Sequence, residues 1–185
     1  MRIISGKFKG KPINFLKTKS IRPLKDSVKE NIFNVLLHSN KINIQINNSN
    51  ILDLYSGVGS FGLESLSRNA KKVAFVDYDK NAVGILRKNL VKLSLIDKAE
   101  LFNEKIEEFL EHNKDKFNII FFDPPFKDKI FIENLKNIKK KKFFKKEHLV
   151  IIHRERKCMD NFSKILNIKI LKEYRRSKII FGTLD

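Results

Sequence analysis

A chain of 185 residues has the size of one compact domain, and 42% hydrophobic against 32% charged residues can bury a core, which excludes wholesale disorder. Lys and Arg number 39 against 21 Asp and Glu, and the net charge of +18 points to a polyanionic partner or a negatively charged membrane surface. The single cysteine, Cys158, excludes an intrachain disulfide and a multi-cysteine zinc site. With no apolar run of signal-peptide or membrane-span length, a soluble, reduced, cytoplasmic protein is expected.

The charge is unevenly placed. Residues 51–126 hold 11 Lys and Arg against 12 Asp and Glu, whereas the rest of the chain holds 28 against 9. Three basic stretches dominate: residues 1–29, Lys136–Lys146 and Lys169–Lys178. A lysine-rich genome would raise lysine everywhere and does not account for a neutral centre, so the flanks are read as an anionic footprint.

In chain order, residues 1–20 alternate apolar and basic residues around Gly6 and Gly10, a small β-hairpin or extended arm. Pro23 ends it, and Ser27 with Glu30 has the form of a capping box opening a helix. Val28, Ile32, Phe33, Leu36 and Leu37 would share its buried face. Residues 1–40 are taken as a basic hairpin and helix extension and 41–185 as the main domain. Short apolar strands then alternate with helices: strand 51–55, helix 60–68, strand 73–77, helix 81–93, strand 100–103, helix 106–112, strand 117–122, helix 129–142 and strand 148–153. Segments 168–174 and 178–184 close as an antiparallel pair. The alternation predicts an α/β, Rossmann-like sheet, mostly parallel with an antiparallel last strand.

Gly57-Val-Gly59-Ser-Phe-Gly62 is a G-x-G-x-x-G between a predicted strand and a predicted helix, and Asp77 ends the next strand. Together they suit a nucleotide-binding βαβ unit, with the acid on ribose hydroxyls. Asp53 precedes the loop; a carboxylate there repels a pyrophosphate and attracts an ammonium, favouring S-adenosylmethionine over a dinucleotide. Other roles weighed are a loop hydrogen bond for Asp53 and strand-end capping for Asp77; Asp79 reads as the N-cap of the next helix.

Asp123-Pro124-Pro125-Phe126 follows the most apolar strand and shares the crevice at the strand carboxyl ends. Two prolines fix φ and remove donors, leaving rigid acceptors beside a ring that can stack on a base. Acceptors on the N–H bonds of an exocyclic amino group localise its lone pair on nitrogen and aim it at an electrophile. A rigid turn without chemistry is the alternative for the tetrad alone. His38, His112, His148 and His153 have no metal-ligand spacing and Cys158 has no catalytic partner; Phe143-Phe144 among lysines reads first as the anchor of a helix end, with a basic–aromatic nucleic-acid contact as the alternative.

These motifs resemble class I S-adenosylmethionine-dependent amino-methyltransferases. Arg2-Ile-Ile-x-Gly6-x-x-Lys9-Gly10, Arg22-Pro-x-x-Asp26-x-Val28-Lys29-Glu30-x-x-Phe33-Asn34 and Ser56-Gly-x-Gly-x-x-Gly62-Leu-Glu64 resemble the RsmD family of bacterial enzymes that methylate the N2 amino group of one guanine in 16S rRNA. The resemblance implies S-adenosylmethionine as cofactor. Asp53, Gly57 and Gly59 would hold its methionine part and Asp77 its ribose; Tyr55, Tyr78 and backbone near Ile106 complete the set. Asp123, Pro124 and Phe126 would grip the flipped guanine. Arg2, Lys7, Lys9, Lys11, Arg22 and Lys29 would face 16S rRNA or a small-subunit assembly intermediate, the protein acting as a monomer away from membranes. Three departures stand out. Lys105 occupies the place of an acid near the adenine, so that backbone near Ile106 must serve there; Tyr174–Ser177 lacks a glycine and His153 replaces an acid, and neither of these two is expected to affect the chemistry. The alternatives are N6-adenine methylation of DNA or RNA, a nicotinamide-dependent oxidoreductase, and a non-catalytic RNA-binding or assembly protein.

Overall fold

The computed structural model describes residues 1–15 and 24–185. The helices are α1 (Asp26–His38), α2 (Ser60–Ser67), α3 (Lys80–Lys92), α4 (Ile106–His112) and α5 (Phe131–Lys141). The strands are β1 (Asn50–Leu54), β2 (Lys72–Val76), β3 (Ala99–Phe102), β4 (Phe117–Phe122), β5 (Phe144–Glu155), β6 (Asn167–Glu173) and β7 (Ser177–Thr183). They form one sheet in the order β3-β2-β1-β4-β5-β7-β6. The first five strands are parallel, and β7 pairs antiparallel with both β5 and β6. The Rossmann-like expectation holds. β5 starts at Phe144 instead of His148, because Phe144 already pairs with Phe117 and a register shift before the Ile119–Leu149 pair accommodates residues 145–148 within the strand.

Side-chain alternation divides the core. Ile51, Ile119, Phe121, Leu149 and Ile151 face α1, α2 and α3, while Leu52, Ile120, Phe122, Val150 and Ile152 face α4 and α5. Phe33 of α1, Phe61 of α2 and Phe121 of β4 form a stacked column, with ring centroids 5.2 and 4.1 Å apart. It ties α1 to the sheet beneath the carboxyl ends of the strands. Ile3 and Ile13 join the same cluster, so residues 1–15 and α1 share the core of the sheet.

Two details of α1 differ from expectation. No side-chain cap forms at its start; Lys25 is the N-cap residue, and Asp26 places a carboxylate in the first turn. Leu37 is 57% exposed, and Lys29 takes its place on the buried face. Lys29 is 0% exposed and therefore not available to RNA, which corrects its expected role. Its Nζ donates to the Arg2 carbonyl at 2.7 Å and lies 3.6 Å from Asp26 and 3.8 Å from Glu64. Burial pushes its pKa down, and the two carboxylates oppose that shift.

Glu64 holds the arm. Its buried carboxylate accepts from Ile4 N at 2.7 Å, Ser5 N at 3.0 Å and Arg68 Nε at 2.9 Å. Beyond it, Lys7 N donates to the Ser67 carbonyl and Phe8 N to Ser67 Oγ. Gly6 makes this approach possible: its φ is +79°, and a Cβ there would lie 2.0 Å from the Ser67 carbonyl oxygen. Residues 1–15 fold back on themselves through an Arg2–Pro12 bridge, as an arm should.

Glu64→Ala would strand a buried lysine and two backbone N–H groups. Chemical denaturation is expected to show a loss of ~3–5 kcal/mol, the size seen when one partner of a buried pair is removed. Amide exchange should speed up first at Ile4 and Ser5.

Candidate active site

The carboxyl ends of β1, β2, β4 and β5 open into a cleft of about 580 Å³, the size of a small-molecule site. Its floor is acidic. Asp53, Asp77 and Asp123 all line it, brought there from three adjacent strands. Asp53, 1% exposed, accepts from Gly62 N at 2.9 Å through Oδ2 and so caps an orphan donor in the first turn of α2. Asp77 accepts from Gly57 N at 2.7 Å and from Asp79 N at 2.9 Å. Asp79 in turn caps α3, accepting from Asn81 N and Ala82 N. Burial raises the Asp53 carboxyl well above its usual value; the Gly62 bond opposes this, and Asp123 and Asp77 add to it. Asp77 is also raised, again first by burial.

The glycine loop has the geometry of a ligand cradle. Gly57 adopts φ +54°, and the position of a Cβ on it faces open space. Gly59 instead faces inward, where a Cβ would lie 2.4 Å from Leu86. The Ser56 and Ser60 hydroxyls border the same cleft, buried and without partners among the described residues. Tyr55 lines it too; its hydroxyl accepts from Asn134 Nδ2 at 3.4 Å, and burial pushes the phenol up.

The opposite side carries the Asp-Pro-Pro-Phe loop. Arg154, 1% exposed on β5, locks its backbone, donating to the carbonyls of Pro125, Phe126 and Asp128 at 3.0, 3.0 and 3.2 Å. Asp160 holds the guanidinium from behind at 2.9 Å, and the Phe131 ring packs 4.4 Å from it. Pro124 and Phe126 border the cleft. His153 does as well, its Nδ1 2.8 Å from Asp123 Oδ1. It was expected to stand outside the chemistry, yet it touches the tetrad's acid. The β4–β5 register, which runs Phe122 opposite Ile152, makes Asp123 and His153 lateral neighbours.

The rim is basic. Arg175 and Arg176, in the β6–β7 turn, line one edge, while Lys25, Ser27 and Asn31 line another. The two arginines stand in the turn noted for its missing glycine, and the adjacent Arg-Arg pair was the signal available for them. Tyr78 is 69% exposed at the margin.

Other expected residues are not gathered here. Ile106 is buried among Phe109, Leu110 and the lower face of the sheet. Lys7, Lys9 and Lys11 are exposed, but their turn docks at Ser67, the end of α2 away from the glycine loop. Arg2 is exposed and also off the cleft lining. Arg22 lies outside the described residues. In the Lys136–Lys146 stretch, α5 runs from the cleft to the amino edge of the sheet, carrying its last turn away from the site. There Lys139 donates to the Lys164 and Ile165 carbonyls and Lys141 to that of Leu110. Lys139 thus fastens the loop before β6, and Lys141 ties α5 to the last turn of α4.

Residues 1–182 match the family model described as Conserved hypothetical protein 95. The chain belongs to this family. It is the RsmD family that the linked motifs resemble. Among its similar proteins, Ribosomal RNA small subunit methyltransferase D of Haemophilus influenzae is 40% identical over 129 residues, 68% of this chain and 64% of that protein. The protein of the same name from Buchnera aphidicola subsp. Baizongia pistaciae is 32% identical over 187 residues, covering 100% of this chain and 90% of its own. The solved structure of yhhF from Escherichia coli superposes with a TM-score of 0.84 at 24% identity, over 100% of this chain and 98% of that one.

The RsmD cofactor, S-adenosylmethionine, fits what the cleft offers. Acceptors at Asp53 and Asp77 suit an ammonium and a ribose, and the orphan Ser56 and Ser60 hydroxyls suit a carboxylate. Because both carboxyls are raised, each still binds a proton in the folded state at a pH where the unfolded chain has released it. The ligand-free protein therefore loses stability as pH rises from the unfolded value, ~3.9, through the raised one. Asp53→Asn is expected to raise the ligand-free melting temperature at neutral pH and flatten its pH dependence. Calorimetric titration should show S-adenosylmethionine binding weakened about tenfold or more, equivalent to ~1.4 kcal/mol.

Proposed function

We propose that the protein transfers a methyl group from S-adenosylmethionine to the exocyclic N2 amino group of a guanine in small-subunit rRNA, acting on the RNA or on an assembly intermediate, as a monomer in the cytoplasm. One juxtaposition carries this reading: a carboxylate floor for a cationic cofactor lies in the same cleft as a rigid acceptor loop for an amino group. The names of the relatives, both rRNA small-subunit methyltransferases, agree with it. Arg175, Arg176 and Lys25 rim the same cleft as the acceptor loop, which supports assigning that positive charge to the phosphates of an RNA substrate.

Held by Asp53, Asp77, Ser56 and Ser60, the cofactor would supply a sulfonium methyl as the electrophile, with sulfur as the leaving group that keeps the C–S electron pair. The chain's residues do the rest. Asp123 and the Pro124 carbonyl accept the amino hydrogens, keeping the nitrogen lone pair out of the ring and in line with the methyl. Phe126 offers its face to the base. Once nitrogen has donated its pair it carries a surplus proton, which passes to the Asp123 carboxylate and then to solvent. Arg175, Arg176 and Lys25 hold flanking phosphates, while the acidic floor repels them. Flipping the guanine costs a few kcal/mol, least in an unpaired loop.

Nucleoside mass spectrometry of small-subunit rRNA, from cells with and without the protein, tests the reading. Loss of N2-methylguanine is expected; loss of N6-methyladenine instead would transfer the assignment to adenine. In vitro, Asp123→Ala should cut methylation by ~10²-fold or more with cofactor affinity near normal. Reversing Arg175 and Arg176 to Glu should weaken RNA binding and flatten its salt dependence by ~0.7–0.9 log units per lost phosphate contact.

A further inference from the structure

We propose that His153 is a positioning residue for the transfer, donating from Nδ1 to Asp123 Oδ1 so that Oδ2 is presented to the substrate amino group. The inference rests on the reading of Asp123 as the amino acceptor and goes beyond it by saying what fixes that acceptor.

A carboxylate on its own is poorly aimed, because its terminal torsion is broad and nearly two-fold. Asp123 directly follows β4, and its side chain is 20% exposed where it borders the cleft. His153 can set the plane of its oxygens. It is 4% exposed, on the adjacent strand, and its Nδ1 lies 2.8 Å from Oδ1. The Phe126 ring meets the imidazole edge to face, with centroids 6.1 Å apart and planes at 71°, and buttresses its orientation.

Which nitrogen carries the proton follows from the far side of the ring. Nε2 is buried and has no partner among the described residues. A proton on Nε2 would make it an orphan donor and leave Nδ1 facing Oδ1 lone pair to lone pair. A proton on Nδ1 satisfies the donor and leaves only an acceptor lone pair unused. A ring that carries a single hydrogen therefore holds it on Nδ1. With Oδ1 engaged in that bond, Oδ2 is the oxygen left to take an amino hydrogen and, after methyl transfer, the surplus proton. The bond also explains how a histidine serves where an acid was expected: it is the hydrogen-bonding partner of Asp123.

Two measurements test this. Nitrogen-15 NMR of the histidine-labelled, ligand-free protein reads the tautomer directly. A pyrrole-type Nδ1 and a pyridine-type Nε2 are expected for His153, and the reverse pattern overturns the proposal. Substitutions then place the donor. In His153→Asn the amide nitrogen falls near the position of Nδ1, and in His153→Gln near that of Nε2. His153→Gln and His153→Leu should lower kcat by ~10- to 100-fold with KM for RNA and cofactor affinity unchanged, the size of effect expected from a misplaced acceptor. His153→Asn should recover most of the loss. Equal turnover in all three, or an Asn variant no better than Leu, refutes the role, and melting temperatures of each variant separate misfolding from mispositioning. A wild-type protein that forms no methylguanine would instead sink the proposed function, leaving the NMR result to stand for the hydrogen bond alone.

Discussion

A carboxylate buried inside α2 organises one whole side of the molecule. Glu64 carries a charge where none is tolerated alone, and its cost is offset by two backbone N–H groups, an arginine and a lysine. The four partners come from three segments: the N-terminal arm, the C-cap of α2 and α1. Lys29 extends the network by donating to the Arg2 carbonyl, so arm and helix are held against each other as well as against the sheet. The entrance of α1, whose Lys25, Ser27 and Val28 wall the cleft, is therefore positioned from below by an interaction that never meets the ligand.

The cleft sorts charge by depth. Carboxylates occupy the bottom, where desolvation makes each one costly until a cation arrives, while guanidinium groups stand at the top, where they remain hydrated. A phosphate chain is attracted to the mouth and refused by the floor; a sulfonium compound with an ammonium is accepted at the floor. The two substrates of the reaction are kept in their own layers by sign alone. The neutral centre and basic flanks of the sequence express this in part. The lysines of the α5 end, however, belong to the amino edge of the sheet, and sequence position alone does not reveal that.

Much of the fold was legible because it rests on local pattern. Alternating apolar strands, the glycine loop and the Asp79 cap are each specified within a few residues, and they appear where expected. Asp53, Asp77 and Asp123 were legible as a set because strand ends in a parallel sheet share one edge. What escaped depends on partners distant in the chain. A lysine at a helical face position looks solvated until Glu64, in another helix, is known to sit beneath it. His153 looks incidental until the β4–β5 register sets it beside Asp123. Ser27 and Glu30 had the spacing of a capping box, but Lys25 became the cap residue instead.

Consecutive residues of β5 point to opposite faces, and here both act on one loop: His153 meets the Asp123 side chain, while Arg154 takes three carbonyls of the backbone that follows. A loop fastened from both sides of its sheet has little freedom to swing. Across the cleft, the β6–β7 turn is closed by the bond from Tyr174 N to the Ser177 carbonyl and presents Arg175 and Arg176 as exposed residues at the rim. The jaw that bears the acceptor tetrad is the braced one, and the jaw that carries the two arginines is the exposed one.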